Sequence, residues 1–185
     1  MNEKKLIEGC LQQKRDAQKL LYDTYSKQMY SICLRYHKDR DLANESLQRG
    51  FIKVFKQLNT YKYTGSLGGW IRSIIVRTSI DVLNEQTKLR FDEVDALEDH
   101  SSNIQPYDHK LDSIDYSALL QILDELPIGY RTVFSMYVLD DLKHNEIASI
   151  LKISVNTSRS QFHKARKLLK EIVIKRFGKV KLENF

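Results

Sequence analysis

Two stretches of the chain gather residue types suited to nucleic-acid recognition. The sharper is Glu146-Ile-Ala-Ser-Ile-Leu-Lys-Ile-Ser154 and the polar run after it. A helix-turn-helix needs a small residue where its helices cross, which Ala148 supplies, and apolar anchors, which Leu151, Ile153 and Val155 supply. Ser154 is an expected N-cap for the second helix. The first exposed turns of that helix carry Asn156, Thr157, Arg159, Ser160 and His163, with Lys164, Arg166 and Lys167 behind them. Asn and Arg read base edges, Ser and Thr hold phosphates, and a helix N-terminus attracts a phosphate by itself. Lys152 is irregular, since the tight turn often has glycine there. The competing reading is an ordinary antiparallel helix pair with a basic solvated face.

The second stretch is Tyr61-Lys62-Tyr63, with Lys56, Trp70, Arg72 and Arg77 close in sequence. Aromatic rings among cations suit unpaired nucleotides, because a base stacked on a ring gains about 1–3 kcal/mol while the cations track the backbone. Core packing competes with this reading. It is the stronger reading for Trp70 and stands level with stacking for Tyr61 and Tyr63.

Catalytic chemistry finds no support. The five histidines, at 37, 100, 109, 144 and 163, are scattered, and there is no HExxH, GxSxG or glycine-rich phosphate loop. Asp140 and Asp141 are adjacent, so on a helix they diverge by about 100° and form no shared site. Cys10 and Cys33 lie far apart without a CxxC, which suggests neither zinc nor a disulfide framework, and Cys33 falls on an apolar helical face as a buried thiol. No catalytic residue, metal or cofactor is expected. No run approaches the roughly 18 apolar residues of a membrane span, and Met1–Leu6 is polar rather than signal-like, so a cytoplasmic protein that is not itself in the membrane is expected.

The elements that would position these residues are helices. Two prolines and seven glycines in 185 residues starve a β-sandwich or barrel of turn residues, whereas 42% hydrophobic and 29% charged residues can build a helical core. Apolar periodicity predicts a helix over Asp16–Tyr36, ended by Asp39-Arg-Asp, and a second from about Leu42 with Ala43, Leu47, Phe51, Val54, Phe55 and Leu58 inside. The outer face of the second shows Asn44, Glu45, Gln48, Lys53 and Lys56. Residues 59–69 hold three of the seven glycines and predict a loop. A helix from Trp70 to about Glu85 follows. Beyond Pro127 come a helix over Tyr130–Val138, a short one over Asn145–Leu151, the turn Lys152-Ile-Ser154, and a long one from Val155 to about Phe177. Net charge is +6 over residues 1–86, −5 over 87–116 and +5 over 117–185. Two basic blocks flank an acidic segment without period, which predicts two helical modules joined by a flexible linker.

Ala43-Asn-Glu-Ser-Leu-Gln-Arg-Gly-Phe-Ile-Lys-Val-Phe55, then Tyr61, Gly65-Ser66, Trp70-Ile-Arg72, Ile80-Asp81 and Leu83, resemble domain two of the small, extracytoplasmic-function bacterial sigma factors. Leu123-Asp-Glu-Leu-Pro127, Tyr130-Arg131, Val133-Phe134, Glu146-Ile-Ala148, Ile153-Ser154-Val155, Thr157, Ser160 and His163-Lys-Ala-Arg166 resemble domain four of the same group. The resemblance implies an all-α chain with a domain two over 1–86, a linker over 87–116 and a domain four over 117–185.

It further implies a dissociable initiation subunit of RNA polymerase. Asn44, Glu45, Gln48 and Arg49 would face the clamp of core polymerase. Lys56, Tyr61, Lys62, Tyr63, Trp70, Arg72 and Arg77 would capture the minus-ten promoter element as unpaired bases. Asn156, Thr157, Arg159, Ser160, His163, Lys164 and Arg166 would read the minus-thirty-five element in duplex promoter DNA. The linker would thread through the polymerase, where its acidity either mimics nucleic acid or simply keeps it extended. An anti-sigma factor, commonly membrane-anchored in this family, would hold the chain inactive.

The chain departs from the family at Asn44, where an acid is common, at Arg49, where an acid often follows the Gln, and at Arg77, where Asn is common. It departs again at Ser158, where a packing valine is usual, and at Gln161, where arginine is usual and whose exchange would remove a phosphate or base contact. A stand-alone helix-turn-helix regulator, usually dimeric, is the alternative reading.

Overall fold

The computed structural model describes residues 3–87 and 116–177, and among these every regular element is helical. The expected acidic linker, 87–116, lies outside them but for its end positions. Helices α1 (Glu3–Leu11), α2 (Arg15–Tyr36), α3 (Arg40–Gln57) and α4 (Leu67–Thr87) belong to one compact unit. Helices α5 (Tyr116–Asp124), α6 (Ile128–Phe134), α7 (His144–Leu151) and α8 (Val155–Phe177) belong to a second.

In the first unit α4 is the central helix, packed by both α2 and α3. Its sequence explains why: Ile71, Ile74, Ile75, Val76, Thr78, Ser79, Ile80, Val82 and Leu83 are all buried, so the helix is enclosed on most of its circumference rather than along one stripe. The Thr78 hydroxyl satisfies itself on the Ile74 carbonyl at 2.8 Å. Gly50 lets α3 approach α4, since a Cβ there would stand 2.4 Å from Ile75 Cδ1. Cys33 is fully buried as expected, and burial pushes its thiol up to about 11.

Three local expectations are corrected in this unit. Asp39 begins α3 instead of merely ending α2, because its carboxylate accepts the backbone N–H groups of Asp41 and Leu42 at 2.6 and 3.3 Å. The loop after α3 is shorter than 59–69. Leu58–Thr60 forms a 3-10 turn, and α4 begins at Leu67 because the Ser66 hydroxyl accepts the Gly69 N–H at 3.1 Å. Gly68 and Gly69 are therefore helical, with Gly68 close against the Tyr25 ring. Helix α1 was not expected at all; it packs on α2 through buried Leu6, Ile7 and Cys10.

In the second unit Pro127 opens α6, which continues as a π-helical turn over Ser135–Leu139. Arg131 is buried and donates to Asp124 Oδ1 at 2.7 Å, linking α6 to the end of α5; burial lowers its pKa against the pull of that carboxylate. Helix α8 buries Ser158, Gln161, Phe162, Ala165, Leu169 and Val173. Gln161 is 2% exposed and faces Gly129 of α6, where a Cβ would come within 3.1 Å of its Oε1. The Gln161 departure therefore changes packing between α6 and α8. It does not remove a contact from the outer face.

Candidate nucleic-acid interfaces

The loop between α3 and α4 surrounds an open depression of about 440 Å³ walled by Tyr61, Lys62, Gly65, Ser66 and Trp70 among others. Three aromatic rings form a ladder beside it. Tyr61 lies 5.5 Å from Trp70 and 4.9 Å from Tyr63, ring centre to ring centre, tilted in both cases. Their exposures separate their roles. Tyr61 is buried and its hydroxyl donates to the Gly65 carbonyl, so it sets the loop's curvature. Trp70 is half-buried in the first turn of α4. Tyr63 is 54% exposed and offers an open ring face.

Tyr63 also has φ of 58°, a left-handed conformation that is uncommon for a bulky residue. Loop residues held this way cluster at ligand-contact sites. Lys62, in the wall of the depression, and Lys56, in the last turn of α3, are both exposed. Arg77 is exposed two turns along α4 on the face that Trp70 begins, whereas Arg72, two residues from Trp70, is half-buried and turned to another side of the helix.

In the second unit the helix-turn-helix is built as its residues require. Ala148 and Leu151 are buried at the crossing, and the Ile153 N–H reaches the Ala148 carbonyl at 3.1 Å. Lys152 adopts φ 56°, ψ 41°, the left-handed geometry that glycine usually supplies. Ser154 caps α8, accepting the Thr157 N–H at 2.9 Å. At the other end of α7 the Lys143 N–H donates to Glu146 Oε2 at 2.8 Å.

Asn156, Arg159 and His163 are exposed at three- and four-residue spacing, so they line one outer face of α8, with half-buried Ser160 among them. Thr157, Lys164 and Arg166 are half-buried at its edges. The Arg166 guanidinium lies 5.9 Å from the Phe162 ring centre, a cation–π contact within its own helix. Asn156, Arg159 and His163 are thus the fully exposed members of this set.

On α3, Asn44, Gln48 and Arg49 are exposed and Glu45 is half-buried. Arg49 pairs with Glu45 at 2.6 Å and with Glu85 of α4 at 2.6 Å, and Lys53 pairs with Asp81 at 2.8 Å. Among the described residues no group of three or more His, Cys, Asp or Glu could hold a metal ion, and no helix is long and apolar enough to cross a membrane.

The family model described as sigma-70 region 2 matches residues 21–89, and that for sigma-70 region 4 matches residues 116–169. RNA polymerase sigma factor SigV of Bacillus subtilis (strain 168) is 30% identical over 146 residues, 79% of this chain and 84% of the relative. The chain belongs to the extracytoplasmic-function sigma factors. The group's SigM from the same organism is 24% identical over 155 residues, covering 82% of this chain and 92% of the relative. The sigma factor RpoE, solved with the anti-sigma factor NepR from Bartonella quintana, shares the fold, with a TM-score of 0.54 at 16% identity over 84% of this chain and 95% of that one. The family comprises DNA-binding transcription initiation factors that are not enzymes.

Two features of this sigma factor escaped the residue-by-residue reading. Ile52, at 54% exposure, sits on the same side of α3 as Glu45, Gln48 and Arg49. Phe51 is 3% exposed and faces the core, whereas Ile52, about 100° further round the helix, lies outside the buried arc of Ser46, Leu47, Gly50 and Val54. The other is His144, which lies inside the helix-turn-helix and touches α8. Its isolation in the sequence gave no sign of this, because its partner Ser158 is 14 residues away.

Proposed function

We propose that this sigma factor binds core RNA polymerase through the outer face of α3, captures the minus-ten promoter element at the Tyr63 loop, and reads the minus-thirty-five element with α8. Residues 1–86 would carry the first two tasks and residues 117–185 the third, with 87–116 as the linker between them. The observation that carries the reading is Tyr63: an aromatic ring held out on a left-handed backbone beside two further aromatics and Lys62. Such a ring is suited to stack on an unpaired base. A helix-turn-helix with Asn156, Arg159 and His163 outward is suited to the major groove of duplex DNA. One chain with both features fits a protein that handles closed and opened DNA together.

The energetics assign the opening itself to the polymerase complex. Separating about a dozen base pairs at ~1.4 kcal/mol per step costs roughly 17 kcal/mol, and each stacked base returns about 1–3 kcal/mol. A few captured bases hold a bubble open and do not create it alone. An anti-sigma factor is the further partner, the class found with the Bartonella quintana relative.

The test is a footprint of core polymerase with and without the chain on a template that the pair transcribes. Protection at two separated upstream segments, with unpaired thymines in the downstream one, is the expected result. Protection by the chain alone over a symmetrical duplex site, independent of polymerase, would replace this reading with that of a stand-alone regulator.

A further inference from the structure

The sigma factor's helix-turn-helix contains a polar contact that its role in DNA reading does not by itself require. His144, the first residue of α7, places Nδ1 2.9 Å from the Oγ of Ser158 in α8. Ser158 is fully buried, at the position where a packing valine is usual in the family. The imidazole is half-buried between aromatic rings: Tyr137 of the π-helical turn stacks on it at 4.5 Å and 18°, and Phe162 of α8 meets it edge-on at 5.7 Å. Its Nε2 is buried without a hydrogen-bond partner among the described residues. Arg159, exposed on the outer face of the reading helix, follows Ser158 directly.

We propose that His144 is a positioning residue for the reading helix: through Ser158 it fixes how α8 leaves the turn, and with it the aim of Arg159, and it does so only while its ring is neutral. The inference rests on the reading of α8 as the DNA-reading helix.

The geometry separates the two protonation states. A neutral ring has one N–H donor and one bare nitrogen, so when Nδ1–H donates to Ser158 Oγ the ring leaves only the Nε2 lone pair unpaired among the described residues. An imidazolium carries two N–H donors, and the second would point from Nε2 into a place with no acceptor, at the full desolvation cost of a buried charged donor. The charged and titratable groups around it act as follows. Arg159 on α8 repels a second positive charge, the Tyr137 phenol ring of the π-helical turn stacks on the imidazole, and the nearest charged residues in sequence are Lys143, just before α7, and Glu146, whose carboxylate is engaged by the Lys143 N–H. Burial first, and Arg159 second, lower the imidazole pKa below its ordinary value.

The sign follows from that direction. Above the ordinary imidazole range, about 6.5, the ring is neutral folded and unfolded, and the contact is intact. As pH falls below that range the unfolded chain takes up the proton while the folded chain resists it. The second unit therefore loses stability, and protonation that does occur breaks the alignment of Ser158 and Arg159.

Two-dimensional NMR of the full chain between about pH 7.5 and 5 tests the coupling, since histidine is the side chain that titrates there. The His144 ring resonances should titrate with a midpoint below the ordinary imidazole value, and the Ser158 and Arg159 amides should shift with that same midpoint. In the His144→Phe/Ser158→Val double variant, which replaces both partners by apolar groups, those amides should not titrate, and the single Ser158→Ala variant should leave His144 titrating without them. Amides that ignore His144 in the unsubstituted chain, or that move alike in the double variant, would overturn the proposal. In a second arm, holoenzyme retention on a promoter duplex should weaken on acidification by roughly tenfold per pKa unit of linkage for the natural chain relative to the double variant. Coupled amides in a chain whose holoenzyme retains no duplex at any pH would overturn the reading of α8 instead.

Discussion

Arg49 Nη1 donates to Glu85 Oε2 at 2.6 Å and so ties the outer face of α3 to the last turns of α4. Its other amino group lies 2.6 Å from Glu45, one of the residues proposed to meet core polymerase. All of these groups are on the surface, where such pairs add little to stability and are screened by salt. Their effect is on what a partner sees: the Glu45 carboxylate is engaged by its own neighbour Arg49.

Arg49→Glu should therefore strengthen association with core polymerase while leaving the thermal midpoint of the chain nearly unchanged. Competition between the variant and the natural chain for core enzyme, followed by fluorescence, checks this. Weaker association would mean that the partner surface is matched to the arginine.

Ile52 is the apolar centre of the same face, and burying an aliphatic side chain is worth about 1.5–3 kcal/mol. Ile52→Asp should weaken core association by about tenfold or more. Because the side chain is already in water, circular dichroism melting should be unaltered. A lowered melting point with normal association would place Ile52 in the fold and not in the interface.

Tyr63→Asn keeps a residue that tolerates the left-handed backbone and removes the ring. Loss of one stacked base, about 1–3 kcal/mol, predicts open complexes about five- to 150-fold less stable. Tyr63→Phe, which keeps the ring, should behave as the natural chain. Dissociation of holoenzyme from a premelted template measures both.

Lys152 takes a left-handed geometry that costs a residue with a Cβ roughly 1–2 kcal/mol, of which glycine recovers part because it is more flexible when unfolded. Lys152→Gly should stabilise the second unit by about 0.5–1 kcal/mol. Denaturant unfolding gives the value, and no gain or a loss would show that the lysine stem packs usefully at the turn.

Much of this was legible in the residues themselves. The helix-turn-helix was, because Ala148, Ser154 and the odd Lys152 each do a local job that spacing reveals. The all-helical class was, because Pro and Gly are scarce. What escaped depends on partners distant in sequence. Ser158 and Gln161 are polar and look solvent-facing, yet they are buried because α7 and α6 cover that side of α8, His144 meeting Ser158 and Gly129 facing Gln161. Gly68 and Gly69 look like loop residues, yet Ser66 caps them into a helix. Helix α1 is only nine residues, so its existence rests on packing against α2. At the candidate site, Tyr61 and Tyr63 are equivalent by type; the hydroxyl contact to Gly65 is what draws one inward and leaves the other out.

The central claim is that this chain selects transcription start sites for core RNA polymerase by contacting two promoter elements. The most direct measurement is transcription of the source organism's genomic DNA by purified core enzyme, with 5′ ends mapped with and without the chain. New starts that share two spaced upstream elements, lost from the downstream element's side with Tyr63→Asn and from the upstream side with Arg159→Ala, are the predicted result. An unchanged set of starts on adding the chain would contradict the account.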